Sequence, residues 1–356
     1  MSKSITNWIR PEIQQLSAYY VPDSGNVIKL DAMENPYGWD AVLIEEWLKI
    51  LQTTALNRYP DSSARKLKSL LRTVMQVPER MEMVLGNGSD ELIQMLILAL
   101  NGPRRVLLVP EPSFIMYRHL AQVVGMKYVG VPLQENSFTL DMYAMLEAIE
   151  TYQPALIFLA YPNNPTGNLF ATEDIEAVIE TTPGVVVIDE AYAPFSNRTF
   201  MSRLEEYPNL LIMRTVSKLG LAGLRLGLLV GSQNWLEQIE KVRQPYNINV
   251  LTQVSAAFAF RHYAMFKEQI QRIKGDREIL LDQLSALKNI QVWSSQANFI
   301  LLRVADAQAI SKQLQEKGIL IKCVHGRHPL LENCLQVTIG TSKENQAFLQ
   351  ALKQLL

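Results

Sequence analysis

Arg214-Thr215-Val216-Ser217-Lys218-Leu219-Gly220-Leu221-Ala222-Gly223-Leu224-Arg225 lies between two apolar runs, residues 209–213 and 226–230. The first run delivers the chain to a polar knot in which Ser, Lys and a second Arg stand among Gly and Ala. Such a knot suits a charged ligand. A solitary lysine is most often a solvated surface group. Here the small neighbours and the apolar flanks argue that Lys218 is carried inward, where burial loosens the proton of an ammonium and frees an amine able to attack a carbonyl.

Outward from this knot, short runs of Val, Ile and Leu alternate with helical stretches from residue 105 onward, at 106–109, 128–131, 155–160, 185–188, 210–213 and 226–230. Continuous apolar runs of this length read as strands covered on both faces, hence an α/β fold with a mostly parallel central sheet. Ligands bind beyond the carboxyl ends of such strands. Four of the runs end in polar or aromatic groups there: Pro112-Ser113-Phe114, Tyr161-Pro162-Asn163-Asn164-Pro165-Thr166-Gly167, Asp189-Glu190-Ala191-Tyr192, and Ser217-Lys218. Upstream, Gly86-Asn87-Gly88-Ser89-Asp90-Glu91 opens a helix over 92–100. A glycine-containing turn at a helix start aims several unpaired N–H groups at one spot, which favours a phosphate; a simple serine cap would read the same way.

Residues 1–37 read as an arm or a lining. A helix over 41–52 is expected to turn Val42, Leu43, Ile44, Trp47, Leu48 and Leu51 inward. In Asn57-Arg58-Tyr59-Pro60-Asp61 the proline leaves Tyr59 on a loop, and Asp61 or Ser62 can cap a helix running to about Met75. A long amphipathic stretch over 251–287, interrupted near Gly275, leads to strands at 292–304, 319–324 and 334–339 with helices at 305–317 and 344–356. The expected division is an arm (1–37), a segment of the small lobe (38–55), a large domain (56–250), and a connecting helix with a smaller α+β domain (251–356).

With 356 residues, 48% of them hydrophobic, the chain can fill two packed lobes. Its 34 Lys and Arg against 35 Asp and Glu give a formal net charge of −1, and no basic block suggests a nucleic-acid face. Apolar runs fall short of the roughly 20 residues that span a bilayer, and residues 1–16 contain no signal-peptide core. A cytoplasmic, membrane-free protein is expected, with Cys323 and Cys334 as thiols because their spacing is neither a CxxC nor a metal-ligand pattern. The four histidines are scattered; His119 and His262 read as packing or surface groups, and no metal site is expected.

Taken in order, the phosphate turn, the aromatic Phe114, Asn164-Pro165-Thr166-Gly167, Asp189-x-x-Tyr192, Ser217-Lys218 and Arg225 resemble the pyridoxal-phosphate-dependent aminotransferases of the aspartate aminotransferase type (fold type I), over nearly the whole chain. The resemblance implies that Lys218 carries pyridoxal 5′-phosphate covalently and later moves the substrate proton. It implies that Asp189 pairs with the pyridine nitrogen, that Tyr192 and Asn164 bind the phenolic oxygen, and that Phe114 stacks on the ring. Ser89, Asp90, Ser217 and Arg225 would hold the phosphate, with Tyr59 reaching it from a neighbouring subunit, which implies a homodimer with shared active sites.

Within that type, the chain is most similar to the histidinol-phosphate aminotransferases, through Leu30-Asp31-Ala32 with Glu34-Asn35-Pro36, Asn57-Arg58-Tyr59-Pro60, the 86–91 turn, Leu221-Ala222-Gly223-Leu224-Arg225 and Cys334-Leu335-Gln336-Val337-Thr338-Ile339-Gly340-Thr341. The implied reaction turns L-histidinol phosphate and 2-oxoglutarate into imidazole acetol phosphate and L-glutamate, in histidine biosynthesis. Two departures stand out. Gln336 occupies a position where the family carries an arginine that grips an anionic substrate group, so Lys322, Arg327 or a histidine of His325-Gly326-Arg327-His328 is expected to supply the charge, with Tyr19 and Asn35 lining the same pocket. One residue fewer separates Lys218 from Arg225 than in many relatives, which predicts a tighter turn at Gly220. An aromatic amino-acid aminotransferase or an O-phosphothreonine decarboxylase would keep the same cofactor set. A non-catalytic regulator domain would need a DNA-binding head, for which residues 1–37 are too short, and a dehydrogenase would need the GxGxxG that the early strands lack.

Overall fold

The computed structural model describes residues 7–18, 25 and 27–356. The chain begins with one turn of helix α1 (Pro11–Gln14) and strand β1 (Ile28–Leu30), then α2 (Ala41–Gln52) and α3 (Arg65–Met75). There follow β2 (Glu82–Gly86), α4 (Ser89–Leu100), β3 (Val106–Glu111), α5 (Ile115–Val124), β4 (Lys127–Pro132), α6 (Met142–Tyr152), β5 (Leu156–Ala160) and α7 (Thr172–Thr181). Next come β6 (Val185–Asp189), β7 (Leu210–Thr215), β8 (Gly227–Gly231) and α8 (Gln233–Glu240). Helices α9 (Val250–Arg261) and α10 (Tyr263–Ser285) lead to β9 (Gln291–Val292), β10 (Phe299–Arg303), α11 (Ala307–Glu316), β11 (Ile319–Cys323), β12 (Cys334–Thr338) and α12 (Ser342–Lys353).

Seven strands form one sheet in the order β2-β8-β7-β6-β5-β3-β4, parallel except for β8, which runs against both its neighbours. Its central strands bury both faces, as their unbroken apolar runs require: every residue of β5 and β6 is buried. The register then decides where chemistry can occur. Ala160 pairs with Asp189, Asp189 with Met213, Thr215 with Gly227, and Gly227 with Gly86. The ends of β5, β6, β7 and β2 and the start of the reversed β8 therefore share one edge, where the turns opening α4 and following β7 emerge.

A second sheet, β1-β11-β12-β10-β9, holds the C-terminal strands. Strand β1 pairs in parallel with β11, Leu30 opposite Ile321. The segment read as an arm thus contributes a strand, because Leu30 is buried against the C-terminal core. The strand expected over 292–304 is divided into β9 and β10. The amphipathic stretch is interrupted at His262 rather than near Gly275, which sits inside α10 with open space around it.

Helix α2 covers the expected residues and is capped by the Asp40 carboxylate on the Leu43 N–H. Its expected inner face is divided: Leu43, Trp47 and Leu51 are half-buried, with Trp47 Nε1 donating to Ser255 Oγ at 2.8 Å, whereas Val42, Ile44 and Leu48 are exposed. Helix α3 starts after Ala64, a left-handed residue with no side-chain cap; Asp61 instead accepts from the N–H groups of Ser63 and Arg65.

Candidate active site

The sheet edge opens into a cavity of about 230 Å³ lined by Ser89, Asp90, Phe114, Asn164, Asp189, Tyr192, Ser217, Lys218 and Arg225, all nine of them sites expected from the sequence. Asp189 ends β6 and is buried, its Oδ2 accepting from Tyr117 Oη at 2.7 Å and its Oδ1 from the Ala191 N–H at 3.0 Å. Burial pushes its carboxyl up to about 6, against the pull of these two hydrogen bonds. Tyr117 itself is fully buried, stacked on Phe158 at 4.5 Å and edge-on to Phe114 at 5.5 Å. One tyrosine thus ties the ring at the cavity mouth to the carboxylate in its floor. The sequence reading passed over Tyr117, although its spacing of three from Phe114 across a helix start was the available signal.

Lys218 enters the cavity from a single turn of 3₁₀ helix after β7, and its Nζ donates to the Ala32 carbonyl at 3.1 Å. Desolvation, with Lys322 adding repulsion, brings its ammonium down to about 8, so a good fraction of neutral amine is present near physiological pH. The amine also lies 5.7 Å over the Tyr192 ring. Tyr192 Oη accepts from Asn164 Nδ2 at 3.1 Å, and Asn164 Oδ1 accepts from Gln336 Nε2 at 3.0 Å, so three buried side chains form one hydrogen-bonded line.

At the other end of the cavity, Ser89 and Asp90 open α4, and the Ser217 and Thr215 hydroxyls lie 2.9 Å apart. Close approach decides the glycines here. A Cβ on Gly227 would come 2.7 Å from the Gly88 carbonyl carbon, and one on Gly88 would come 2.5 Å from an Arg225 guanidinium nitrogen. Arg225 sits 3.6 Å from the Asp90 carboxylate. The short spacing to Lys218 is absorbed at two places: Gly220 at φ +111°, with the Asn35 amide packed against it, and Arg225 itself at φ 47°. Left-handed backbone at an arginine costs energy that glycine would avoid.

Side by side with this cavity lies another, of about 100 Å³, sharing Phe114 and Asn164 with it and lined also by Lys322, Arg327 and Gln336. Lys322 and Gln336 are register partners on β11 and β12. Burial and the nearby Arg327 lower the Lys322 ammonium to about 8. Gln336 is fully buried; its Nε2 is spent on Asn164, and its Oε1 has no partner among the described residues.

Two expected site residues stand apart. Asn35 lines neither cavity: its Nδ2 donates to the Leu219 carbonyl and to Gln269 Oε1, while its Oδ1 accepts from the Tyr37 N–H, so it braces the turn that carries Lys218. Tyr59 is 81% exposed and stacks on Tyr246 at 4.4 Å, away from the cavity of its own chain. Tyr19 lies outside the described residues. Among the described residues no cluster of His, Cys, Asp and Glu could hold a metal ion, and no helix is long and apolar enough to cross a membrane.

The protein is similar to histidinol-phosphate aminotransferase 2 of Nitrosococcus oceani, 55% identical over 98% of this chain and 97% of that protein. It is 46% identical to histidinol-phosphate aminotransferase of Chromobacterium violaceum, over 99% of both chains. Its fold matches the crystal structure of histidinol-phosphate aminotransferase from Sinorhizobium meliloti in complex with pyridoxal-5′-phosphate, with a TM-score of 0.86 at 21% identity over 98% of each chain. Residues 25–352 match the family model of aminotransferase class I and II, and by that match and these identities the chain belongs to the class I and II aminotransferases.

Proposed function

We propose that the protein transfers the amino group of L-histidinol phosphate to 2-oxoglutarate, giving imidazole acetol phosphate and L-glutamate on the route to L-histidine, with pyridoxal 5′-phosphate as cofactor. One observation carries the reading: a cavity holding a buried amine and a buried carboxylate opens, across Phe114 and Asn164, onto a second cavity lined with cations. The names of the curated relatives, at 55% and 46% identity, support the same activity.

The donor set fits the cofactor. Asp189 would pair with the ring nitrogen, Tyr192 and Asn164 with the phenolic oxygen, and Phe114 would cover the ring. Ser217, Arg225 and the N–H groups of Ser89 and Asp90 would hold the phosphate, in a cradle that a Cβ at Gly88 or Gly227 would fill. Bound there, the cofactor supplies a sink for the electrons left behind when the substrate carbon loses its proton. The chain supplies the rest. Lys218 Nζ takes that proton as a neutral amine and returns it as an ammonium, a role that its lowered pKa suits. Asp189, kept dry by Tyr117 and the sheet, holds a proton at the ring nitrogen. Lys322 and Arg327 attract the anionic end of either substrate, standing in for charge that Gln336 lacks.

We read the working unit as a homodimer with shared sites, supported by the exposed apolar face of α2 and by Tyr59, which points away from the cavity of its own chain. In this reading the seven-stranded sheet belongs to a cofactor-binding domain over residues 56–250, and the C-terminal strands, joined by β1, to a smaller one over 251–356. A cytosolic setting is supported by Cys323 and Cys334, both free thiols.

The test is the visible absorption of purified protein loaded with pyridoxal 5′-phosphate, followed while L-histidinol phosphate, L-phenylalanine and O-phosphothreonine are added separately. Bleaching by histidinol phosphate alone, restored by 2-oxoglutarate and missing in Lys218→Ala, is the expected result. Bleaching only by phenylalanine would replace the substrate, and a protein that develops no band would remove the role of Lys218.

A further inference from the structure

The second cavity contains a guanidinium that no part of the reading above uses. Arg118 lies in the second turn of α5, four residues after Phe114, and lines the cavity together with Glu111, Tyr128 and His328. Its Nε and Nη2 donate to Glu111 Oε1 and Oε2 at 3.2 and 2.5 Å, and Tyr128 Oη donates to Glu111 Oε1 at 2.7 Å. The guanidinium carbon stands 4.9 Å over the Tyr128 ring. Gly130, two residues beyond Tyr128 on β4, leaves the space for this arrangement, because a Cβ there would collide with the Glu111 carboxylate. The Arg118 side chain nevertheless remains half exposed. A carboxylate, a ring and a missing side chain together hold still a guanidinium that remains half open to the cavity and to solvent.

The remaining cations of the cavity are less suited to fix a ligand. Arg327 lies on an exposed loop. Lys322 is a single ammonium whose charge is shed above about pH 8. His328 accepts from the Leu330 N–H through Nδ1, and burial and Arg118 push its pKa down, so it faces the cavity as a neutral ring. Counting Arg118, Lys322 and Arg327 against Glu111, the lining carries two net positive charges, which matches a phosphate monoester dianion.

We propose that Arg118, clamped by Glu111 and Tyr128, is the specificity-determining ligand for the phosphate of the amino donor, and that it makes possible a neutral glutamine at position 336. This inference rests on the amino-transfer reading and deepens it. Glu111 and Tyr128 are positioning residues, acting only through the guanidinium. Arginine suits the task because its fork can give one edge to Glu111 and still present N–H groups to a phosphate oxygen.

Two measurements test this on the cofactor-loaded protein. The first is amino transfer from L-histidinol phosphate and from phosphate-free L-histidinol; the second is calorimetric binding of inorganic phosphate, which needs no amino donor. Arg118→Gln is expected to raise KM for histidinol phosphate and to weaken phosphate binding, each by on the order of 10- to 100-fold. It should leave kcat/KM for histidinol within about twofold, so the effect follows the phosphate and not the fold. Arg118→Lys should recover part of the loss, and Tyr128→Phe should produce a smaller shift in KM with kcat unchanged; these variants carry the test if Arg118→Gln does not fold. Phosphate affinity and KM unchanged in Arg118→Gln, or equal losses with both donors, would overturn the proposal. If the wild-type protein ignores histidinol phosphate but binds phosphate through Arg118, the substrate assignment fails while the anion site stands.

Discussion

Around Lys218, the functional groups sit at the edge of one sheet, each at a strand end or on the turn that follows it. The neighbouring cavity instead collects Glu111 from β3, Arg118 from α5, Tyr128 from β4, Lys322 from β11, Gln336 from β12 and Arg327 from a loop. The first cavity is nearly saturated with internal partners: Asp189 with Tyr117 and Ala191, Asn164 with Tyr192 and Gln336, Lys218 with Ala32. The second holds excess positive charge and an amide oxygen, Gln336 Oε1, without a partner among the described residues. The contrast separates two tasks. In the proposed reading, the chemistry is fixed by the shared strand ends of one sheet, whereas choice among substrates falls to side chains gathered from both sheets, a helix and a loop.

The sharpest way to break the comparison is at its first member. Lys218→Ala should lower kcat by on the order of 10⁴-fold or more in either direction of amino transfer, while phosphate binding in the second cavity stays within about twofold. Coupled loss of both would mean that the cavities are one site.

Asp189→Asn should cost on the order of 10²- to 10³-fold in kcat, because an amide cannot keep a ring nitrogen protonated. It should have the opposite effect on the cofactor-free fold. Asp189 has its folded pKa raised to about 6 from 3.8, so the native state holds the proton more tightly. The resulting stability is complete below about pH 4, declines as pH rises through 6, and is absent above that, where the buried carboxylate bears its full cost. The asparagine variant should therefore gain about 1–3 kcal/mol over wild type at pH 8, narrowing toward pH 4, as read by thermal unfolding across that range. A variant less stable at every pH would show that the bonds from Tyr117 and Ala191 outweigh the burial.

On the surface, Val42→Asp with Leu48→Asp puts two charges on the exposed stripe of α2. Sedimentation should show a shift from dimer toward monomer, with specific activity falling about tenfold at dilute protein and recovering as concentration rises. An unchanged dimer would move the interface elsewhere.

The smallest effect belongs to Lys322. Its ammonium loses charge through about pH 8, so KM for the phosphate-bearing donor should rise roughly three- to tenfold between pH 7 and 9. Lys322→Arg, charged throughout, should flatten that profile; a wild-type profile already flat would leave Arg118 and Arg327 as the sufficient cations.

The parallel sheet and the residues that line the first cavity were legible because buried strands leave unbroken runs of Val, Ile and Leu, and because strand ends of a parallel sheet must converge. What was not legible is what packs against what. Helical periodicity identified the apolar residues of α2 but not how they divide, with Leu43, Trp47 and Leu51 half-buried and Val42, Ile44 and Leu48 left outward. Asn35 is expected from the resemblance to line the pocket, yet its amide braces the turn after Lys218. Glycine suggested the break at Gly275, where the helix runs through without strain and stops instead at His262. Arg118 gave no local signal, since its clamp depends on Glu111, Tyr128 and Gly130, seven to twelve residues away and joined only through strand pairing.

The bond from Lys218 Nζ to Ala32 has a mechanical meaning. Ala32 follows β1, whose sheet also holds Met33 through Thr338 and Asn298. The amine therefore belongs by covalent chain to the seven-stranded sheet and by hydrogen bond to the five-stranded one, and the Gln336–Asn164 contact crosses the same seam. Any rocking of one sheet against the other would strain both links together. In the proposed mechanism Lys218 is a rivet as well as a reagent, and drawing its amine away onto another atom would loosen the joint it holds.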